Sequence, residues 1–267
     1  MEMLDKYRDT LAGLRKEFVE VCKAIFGDNL VAIVNKGSSV KGGFIPGLSD
    51  VDLHVYLKEE AFTYSDLIKL ELGLSFQEKM DKLIHKYDVG DGPIQVIFLN
   101  VDNPKRWSGP LPGTYLILYG DSCPEPEPHA EEMLEMDRLC LRSPSYFYNL
   151  INTYADKANE ELADFVRKIN PAITPALYRV LSLITNDPLK VWKMTRFEVL
   201  EGLESLESEE AKEMAELGRE YFEIAGQRPL LKIDPELCRK ALRIGFKIID
   251  IGKEFAFSLG FNHELHK

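Results

Sequence analysis

The stretch Val31–Leu57, VAIVNKGSSVKGGFIPGLSDVDLHVYL, decides how the first half of this chain is read. Its β-branched opening ends in the turn Gly37-Ser38. A glycine-rich loop follows, and after eleven intervening residues Asp50-Val51-Asp52-Leu53 heads a second apolar run. Side chains on a strand repeat with a period of two, so Asp50 and Asp52 point to one face, a few ångströms apart. Two ionised carboxylates that close repel unless a cation or a shared proton neutralises them. Hard oxygen ligands of this kind suit Mg²⁺, which binds through one or two carboxylates plus the phosphates of a nucleotide. Gly37, Gly42 and Gly43 let backbone N–H groups approach a phosphate, Ser38 and Ser39 add hydroxyl donors, and Lys41 adds a supporting cation. Taken singly, an Asp-x-Asp is a solvated strand face and a Gly-Ser pair an ordinary turn. Together, in strand–loop–strand order, they predict one site for a divalent metal and a triphosphate.

The same residues carry a family resemblance. Gly37-Ser38, the gap, Ser49 and Asp50-Val51-Asp52-Leu53 resemble the signature of the DNA-polymerase-β-like nucleotidyltransferase superfamily. Within it they are most similar to the small-molecule enzymes that adenylylate aminoglycosides. Tyr115–Asp121 (YLILYGD) resembles the strand end that closes the catalytic domain in that group. The resemblance implies an α+β fold in which an N-terminal nucleotidyltransferase domain, a small mixed sheet with helices, precedes a C-terminal α-helical bundle. It implies Asp50 and Asp52 as catalytic metal ligands for Mg²⁺, and Gly37, Ser38, Ser39, Lys41 and Ser49 around the phosphates of ATP. The implied reaction moves AMP to a hydroxyl of an aminoglycoside-like small molecule and releases pyrophosphate.

Two positions depart from the family pattern. Lys36 stands where an apolar residue is usual, and the site-facing residue of Gly92–Leu99 is Gln95, where the family places a third carboxylate. An amide does not ionise near neutral pH and cannot serve as a general base. Either the base lies elsewhere, with Asp91 and acidic residues of the second half as candidates, or the chain is a catalytically impaired nucleotide-binding module, antitoxin-like or regulatory. Adenylylation of a protein is a further reading.

Composition narrows the partners. The 267 residues are 45% hydrophobic and 29% charged, as in an ordinary globular protein large enough for two domains. The net charge of −11 repels a phosphate backbone, so a nucleic-acid partner is not expected. Cys22, Cys123, Cys140 and Cys238 are widely spaced and suggest reduced, packed thiols. The opening MEMLDKYRDT has no signal-peptide core and no apolar run is long enough to span a membrane, so a cytoplasmic location is expected. Oligomeric state is left open.

Along the chain, apolar positions predict a helix over Leu4–Phe26, strands near Leu30–Asn35, Val51–Leu57 and Ile94–Leu99, and a helix over Ser65–Tyr87 with Leu67, Leu70, Leu74 and Met80 inward. Asp102–Gly113 is a loop carrying Arg106 and Trp107, the latter either a stacking platform or a core plug. Alternating prolines in Cys123–Pro128 mark the expected boundary between a domain of residues 1–125 and one of 126–267, with the substrate cleft between them. Beyond it, Ser143-Pro144, Thr174-Pro175, Asp187-Pro188 and Asp234-Pro235 read as capped helix starts, and Thr195-x-x-Glu198 as a capping box. A run of glutamates between Glu201 and Glu223 is either a solvated face or a field that attracts a polycation. Lys190, Lys193 and Arg196 lie near the Thr195 cap. Thr195-Arg196 takes the place of the serine-lysine helix start of aminoglycoside adenylyltransferases, which would make Arg196 a phosphate ligand; solvation is the alternative. His263-x-x-His266 is a weak metal-like pair in a tail.

Overall fold

The structure is a computed structural model and describes residues 2–63, 67–87, 94–103, 109–142 and 152–259. Asp91, Arg106, Trp107, Ser143-Pro144, His263 and His266 lie outside the described residues. The chain separates into two compact units, Met1–Pro128 and His129–Lys267.

The first unit opens with helix α1 (Glu2–Phe26), whose buried Leu11, Leu14, Phe18 and Cys22 recur at helical spacing. A 3-10 turn at Gly27–Asn29 delivers the chain to strand β1 (Leu30–Lys36). The single-turn helix α2 (Ser38–Lys41) and a loop lead to β2 (Val51–Leu57). Helix α3 (Leu70–Lys86) and strands β3 (Ile94–Asn100) and β4 (Tyr115–Tyr119) complete the unit. The sheet runs β3-β2-β1-β4. Strand β1 is antiparallel to both β2 and β4, while β3 lies parallel to β2, so the sheet is mixed.

One face of this sheet packs on α1 and α3. Ile33, Val51, Leu53, Val55 and Leu57 join Phe18, Phe26, Phe76 and Met80 in a single core, with Phe76 edge-on to Phe18 and Phe98. Each fully buried Leu or Phe here contributes about 1.5–3 kcal/mol. The α3 stripe differs from the sequence expectation. Phe76, Met80 and Leu83 face inward, whereas Leu67, Leu70 and Leu74 are 67%, 69% and 52% exposed. The start also shifts: Ile68 forms an antiparallel bridge with Phe62, and the Lys69 N–H donates to the Ala61 carbonyl, so helical turns begin only at Leu70.

Among its described residues the second unit is all helical: α4 (Ala130–Arg142), α5 (Leu162–Thr185), α6 (Pro188–Val191), α7 (Arg196–Glu204), α8 (Glu209–Ala225), α9 (Arg228–Leu231) and α10 (Pro235–Ser258). Helix α5 is the axis of the bundle and buries Ile169, Ile173, Leu177 and Leu181. A Cβ at Gly245 of α10 would meet Ile173 Cδ1 at 2.3 Å, so that glycine permits the close approach of α10 to α5. The Asp187 and Asp234 caps form as expected, accepting from Lys190 N–H and from Glu236 and Leu237 N–H, and the Thr195/Glu198 box closes in both directions. Thr174-Pro175 is not a helix start. It lies inside α5, where Thr174 Oγ1 donates to Asn170 Oδ1 at 2.8 Å and packing on α10 carries the turns across Pro171 and Pro175. Among the described residues no helix is long and apolar enough to cross a membrane.

Candidate active site

The register of the sheet assembles the site. Lys36 on β1 stands opposite Asp52 on β2, and Gln95 on β3 stands beside Asp52 on its other side. Because alternate residues share a face, Asp52, His54 and Tyr56 project away from α1 and α3, in rows with Lys36 and Gln95. The separate small cluster of Ala32, Val34 and Tyr56 marks this second face.

The turn after β1 is shaped around Asp52. Gly37 has φ 80° and ψ −156°, a region open essentially to glycine, and a Cβ there would lie 2.6 Å from Asp52 Oδ2. The glycine and the aspartate read separately in the sequence thus touch. Beneath them Asn35, at 0% exposure, donates from Nδ2 to the Asp52 carbonyl at 2.8 Å and to Ser39 Oγ at 3.1 Å. Arg15 of α1 closes the network, its Nε donating to Asn35 Oδ1 at 2.7 Å and its Nη2 to the Ser39 carbonyl at 2.8 Å. Arg15 and Asn35 were not legible as site residues, because a lone polar residue inside an apolar run carries no signal of what it will meet.

The remaining sequence candidates divide. Ser38 and Lys41 begin and end α2, both partly exposed. Ser39 and Ser49 are buried within the framework of the loop: Ser39 bonds Asn35, and Ser49 Oγ accepts from the Ile45 N–H at 2.9 Å. Gly37 N–H donates to the Thr114 carbonyl at 3.3 Å. Arg196 belongs to the second unit, where it is 5% exposed with its guanidinium 5.1 Å above the Phe222 ring. Lys190 and Lys193 are exposed. Of the second-unit glutamates, Glu209 pairs with Lys212, and Glu213 and Glu220 pair with Lys247 and Lys240 of α10. Lys240 and Lys247 lie outside the stretch from which the acidic run was read.

Charge is concentrated on this second face. Burial pushes the Asp52 carboxyl up to about 6; Lys36 pulls it down and the Asp50 charge adds to the rise. A divalent cation answers that electrostatic problem, and two adjacent carboxylates beside a glycine turn are the donor set Mg²⁺ takes. His54, 5% exposed, is held down to about 3 by burial, with Lys36 acting in the same direction. Tyr56, 1% exposed, donates from its hydroxyl to Glu125 Oε2 at 2.8 Å, and that oxygen lies 4.0 Å from His54 Nδ1. His54 and Tyr56 could have been found by extending the alternate series from Asp52. Glu125 could not, since nothing in the sequence ties the proline-rich segment to β2.

Residues 15–99 match the family described as "Nucleotidyltransferase domain". No curated protein matches the chain. Among solved structures, the chain is similar to spectinomycin adenyltransferase AAD(9) from Enterococcus faecialis with ATP and spectinomycin, at 14% identity and a TM-score of 0.48, covering 85% of this chain and 98% of that one. The family match spans β1, β2 and β3, and so includes the Gly37 turn, Asp50 and Asp52. The match places a nucleotidyltransferase domain within the first unit, over residues 15–99.

Proposed function

We propose that the protein transfers AMP from ATP to a hydroxyl of a small molecule, with Mg²⁺ held by Asp50 and Asp52. The observation that carries this reading is the contact of Asp52 with the Gly37 turn, which sets a carboxylate pair beside a loop of the kind that receives phosphates. Gly37, Ser38 and Lys41 form the proposed phosphate edge, and Ser39 and Ser49 hold its shape from inside. The metal would supply neutralisation of the phosphates and of the charge that develops on transfer. The chain's own residues do the rest. Asn35 and Arg15 fix the turn, and Lys36 adds positive potential beside Asp52. An aminoglycoside-like acceptor is the proposed class, in keeping with the spectinomycin named for the similar structure. Arg196 is left out of the proposed phosphate site, since its guanidinium is packed over Phe222.

Calorimetry tests the reading. ATP is expected to bind only when Mg²⁺ is present, and Asp52→Asn is expected to abolish that dependence while the melting temperature holds. ATP binding by the wild type that needs no Mg²⁺, or an Mg²⁺ dependence that Asp52→Asn leaves intact, would defeat the proposal.

A further inference from the structure

We propose that Glu125 is the acceptor-side general base of this enzyme, taking the role that Gln95 cannot fill; the proposal rests on the reading of Asp50 and Asp52 given above. Gln95 sits beside Asp52 in the parallel register of β2 and β3, and its amide accepts no proton near neutral pH. The second face of the sheet nevertheless carries another carboxylate. The segment after β4 folds back onto the first unit, with the Gly109 N–H donating to the Pro126 carbonyl at 2.9 Å, and brings Glu125 over β2. Its Oε2 is fixed by the Tyr56 hydroxyl at 2.8 Å and lies 4.0 Å from His54 Nδ1.

His54 and Tyr56 follow Asp52 at alternate positions, and residues two apart on a strand are separated by about 7 Å. Glu125 is therefore held along the same row as the metal carboxylate, displaced towards the far end of the strand. Lys36 ties the group together, because its charge acts on Asp52, His54 and Glu125 alike. The partners that fix Glu125 are Tyr56 and His54, not Asp50 or Asp52, and among the described residues no three His, Cys, Asp or Glu side chains are grouped to hold a metal ion. That arrangement suits a base facing an acceptor rather than a third ligand. Burial also raises the Glu125 carboxyl from its ordinary value, against the Tyr56 hydrogen bond and Lys36, which moves it towards the range of an effective base.

In the proposed step the acceptor hydroxyl oxygen forms a bond to the α-phosphorus of ATP as the bond from that phosphorus to the bridging oxygen breaks. The electron pair of the broken bond leaves with pyrophosphate, and the hydroxyl proton passes to the Glu125 carboxylate. Nothing is oxidised or reduced.

The competing account is structural: Tyr56 is buried, and Glu125 satisfies its hydroxyl. Glu125→Gln separates the two, since an amide oxygen still accepts from Tyr56 but cannot take a proton. Full-length protein with Mg²⁺ and ATP is assayed for pyrophosphate release with spectinomycin, inositol and glycerol as hydroxyl acceptors. Glu125→Gln is expected to lower kcat by about 10²–10⁴-fold, with KM for ATP, ATP affinity and melting temperature unchanged. Tyr56→Phe, which frees the carboxylate without removing it, is expected to lose less. Wild-type kcat in Glu125→Gln overturns the assignment. So does a loss of activity that merely follows a lowered melting temperature in both variants, or a wild type that binds Mg²⁺ and ATP yet releases no more pyrophosphate than Glu125→Gln with any of the three acceptors. Failure of the underlying reading looks different: ATP binding would then not depend on Mg²⁺ or on Asp52.

Discussion

The two faces of the four-stranded sheet are built from the same strands and have opposite chemistry. Towards α1 and α3, β2 presents Val51, Leu53, Val55 and Leu57, each at 0% exposure in a continuous apolar core. Away from them it presents Asp52, His54 and Tyr56, two of which are nearly as buried but among charged and hydrogen-bonding partners. Burial of a polar group is costly unless it is paired, and on the second face the Tyr56 hydroxyl finds its acceptor in Glu125, from a distant part of the unit. The first face makes the fold and the second carries the proposed site, with adjacent residues of one strand assigned to each.

Adjacent substitutions test that division most severely. Asp52→Asn is expected to cut pyrophosphate release by more than about 100-fold, because even outer partners of a metal ligand are worth 10–100-fold. Its melting temperature is expected to hold or rise, since the charge it removes is one that burial disfavours. Leu53→Ala, the next residue, is expected to cost about 2–5 kcal/mol in urea denaturation and leave turnover per folded molecule intact. If either substitution moved both quantities together, the two faces would not be separable.

Gly37→Ala comes next. Its backbone strain costs about 1–3 kcal/mol, and the new methyl must displace the Asp52 carboxylate. Gly113→Ala is the control: φ is also positive, at +88°, but nothing lies within 4 Å of the added carbon. Both variants are expected to lose stability, and only Gly37→Ala to lose Mg²⁺-dependent ATP binding in calorimetry.

The smallest effect concerns acid. Burial holds His54 near 3 against an ordinary value of 6.5. Between those two values the unfolded chain takes a proton that the folded chain refuses, so this residue lowers stability as pH falls through the window. Asp52 and Glu125, both raised, contribute with the opposite sign, which makes the difference between wild type and variant the informative quantity. Urea midpoints at about pH 7 and about pH 4.5 are expected to fall less in His54→Asn than in wild type.

Much of this was legible from residues alone. The spacing of Asp50 and Asp52 signalled that the charge of one acts on the other, and the glycine turn was visible because few residues other than glycine tolerate φ of 80° with ψ of −156°. The Asp187, Thr195 and Asp234 caps were readable because a cap is a local event between neighbours. What escaped is what depends on distant segments. The apolar stripe of α3 was misphased because its first leucines precede or begin the helix, after the Phe62–Ile68 bridge. Thr174-Pro175 read as a start because a proline pattern cannot report that α10 packs along both sides of it. Arg15 and Glu125 reach β1 and β2 from opposite ends of the first unit, and no spacing rule connects them.

Asn35 has a further consequence. One buried amide ties the end of β1 to the start of β2 and, through Arg15, to the first helix. The turn that would receive phosphates is then held by the chain's own hydrogen bonds, and a nucleotide need not restrain a mobile loop on arrival. Amide hydrogens of Val40 and Lys41, which donate to the Gly37 carbonyl, are expected to exchange slowly without ATP and to gain little protection when it is added. A loop prepared in this way selects its ligand by fit, and discrimination among nucleotides falls to the base-binding surroundings.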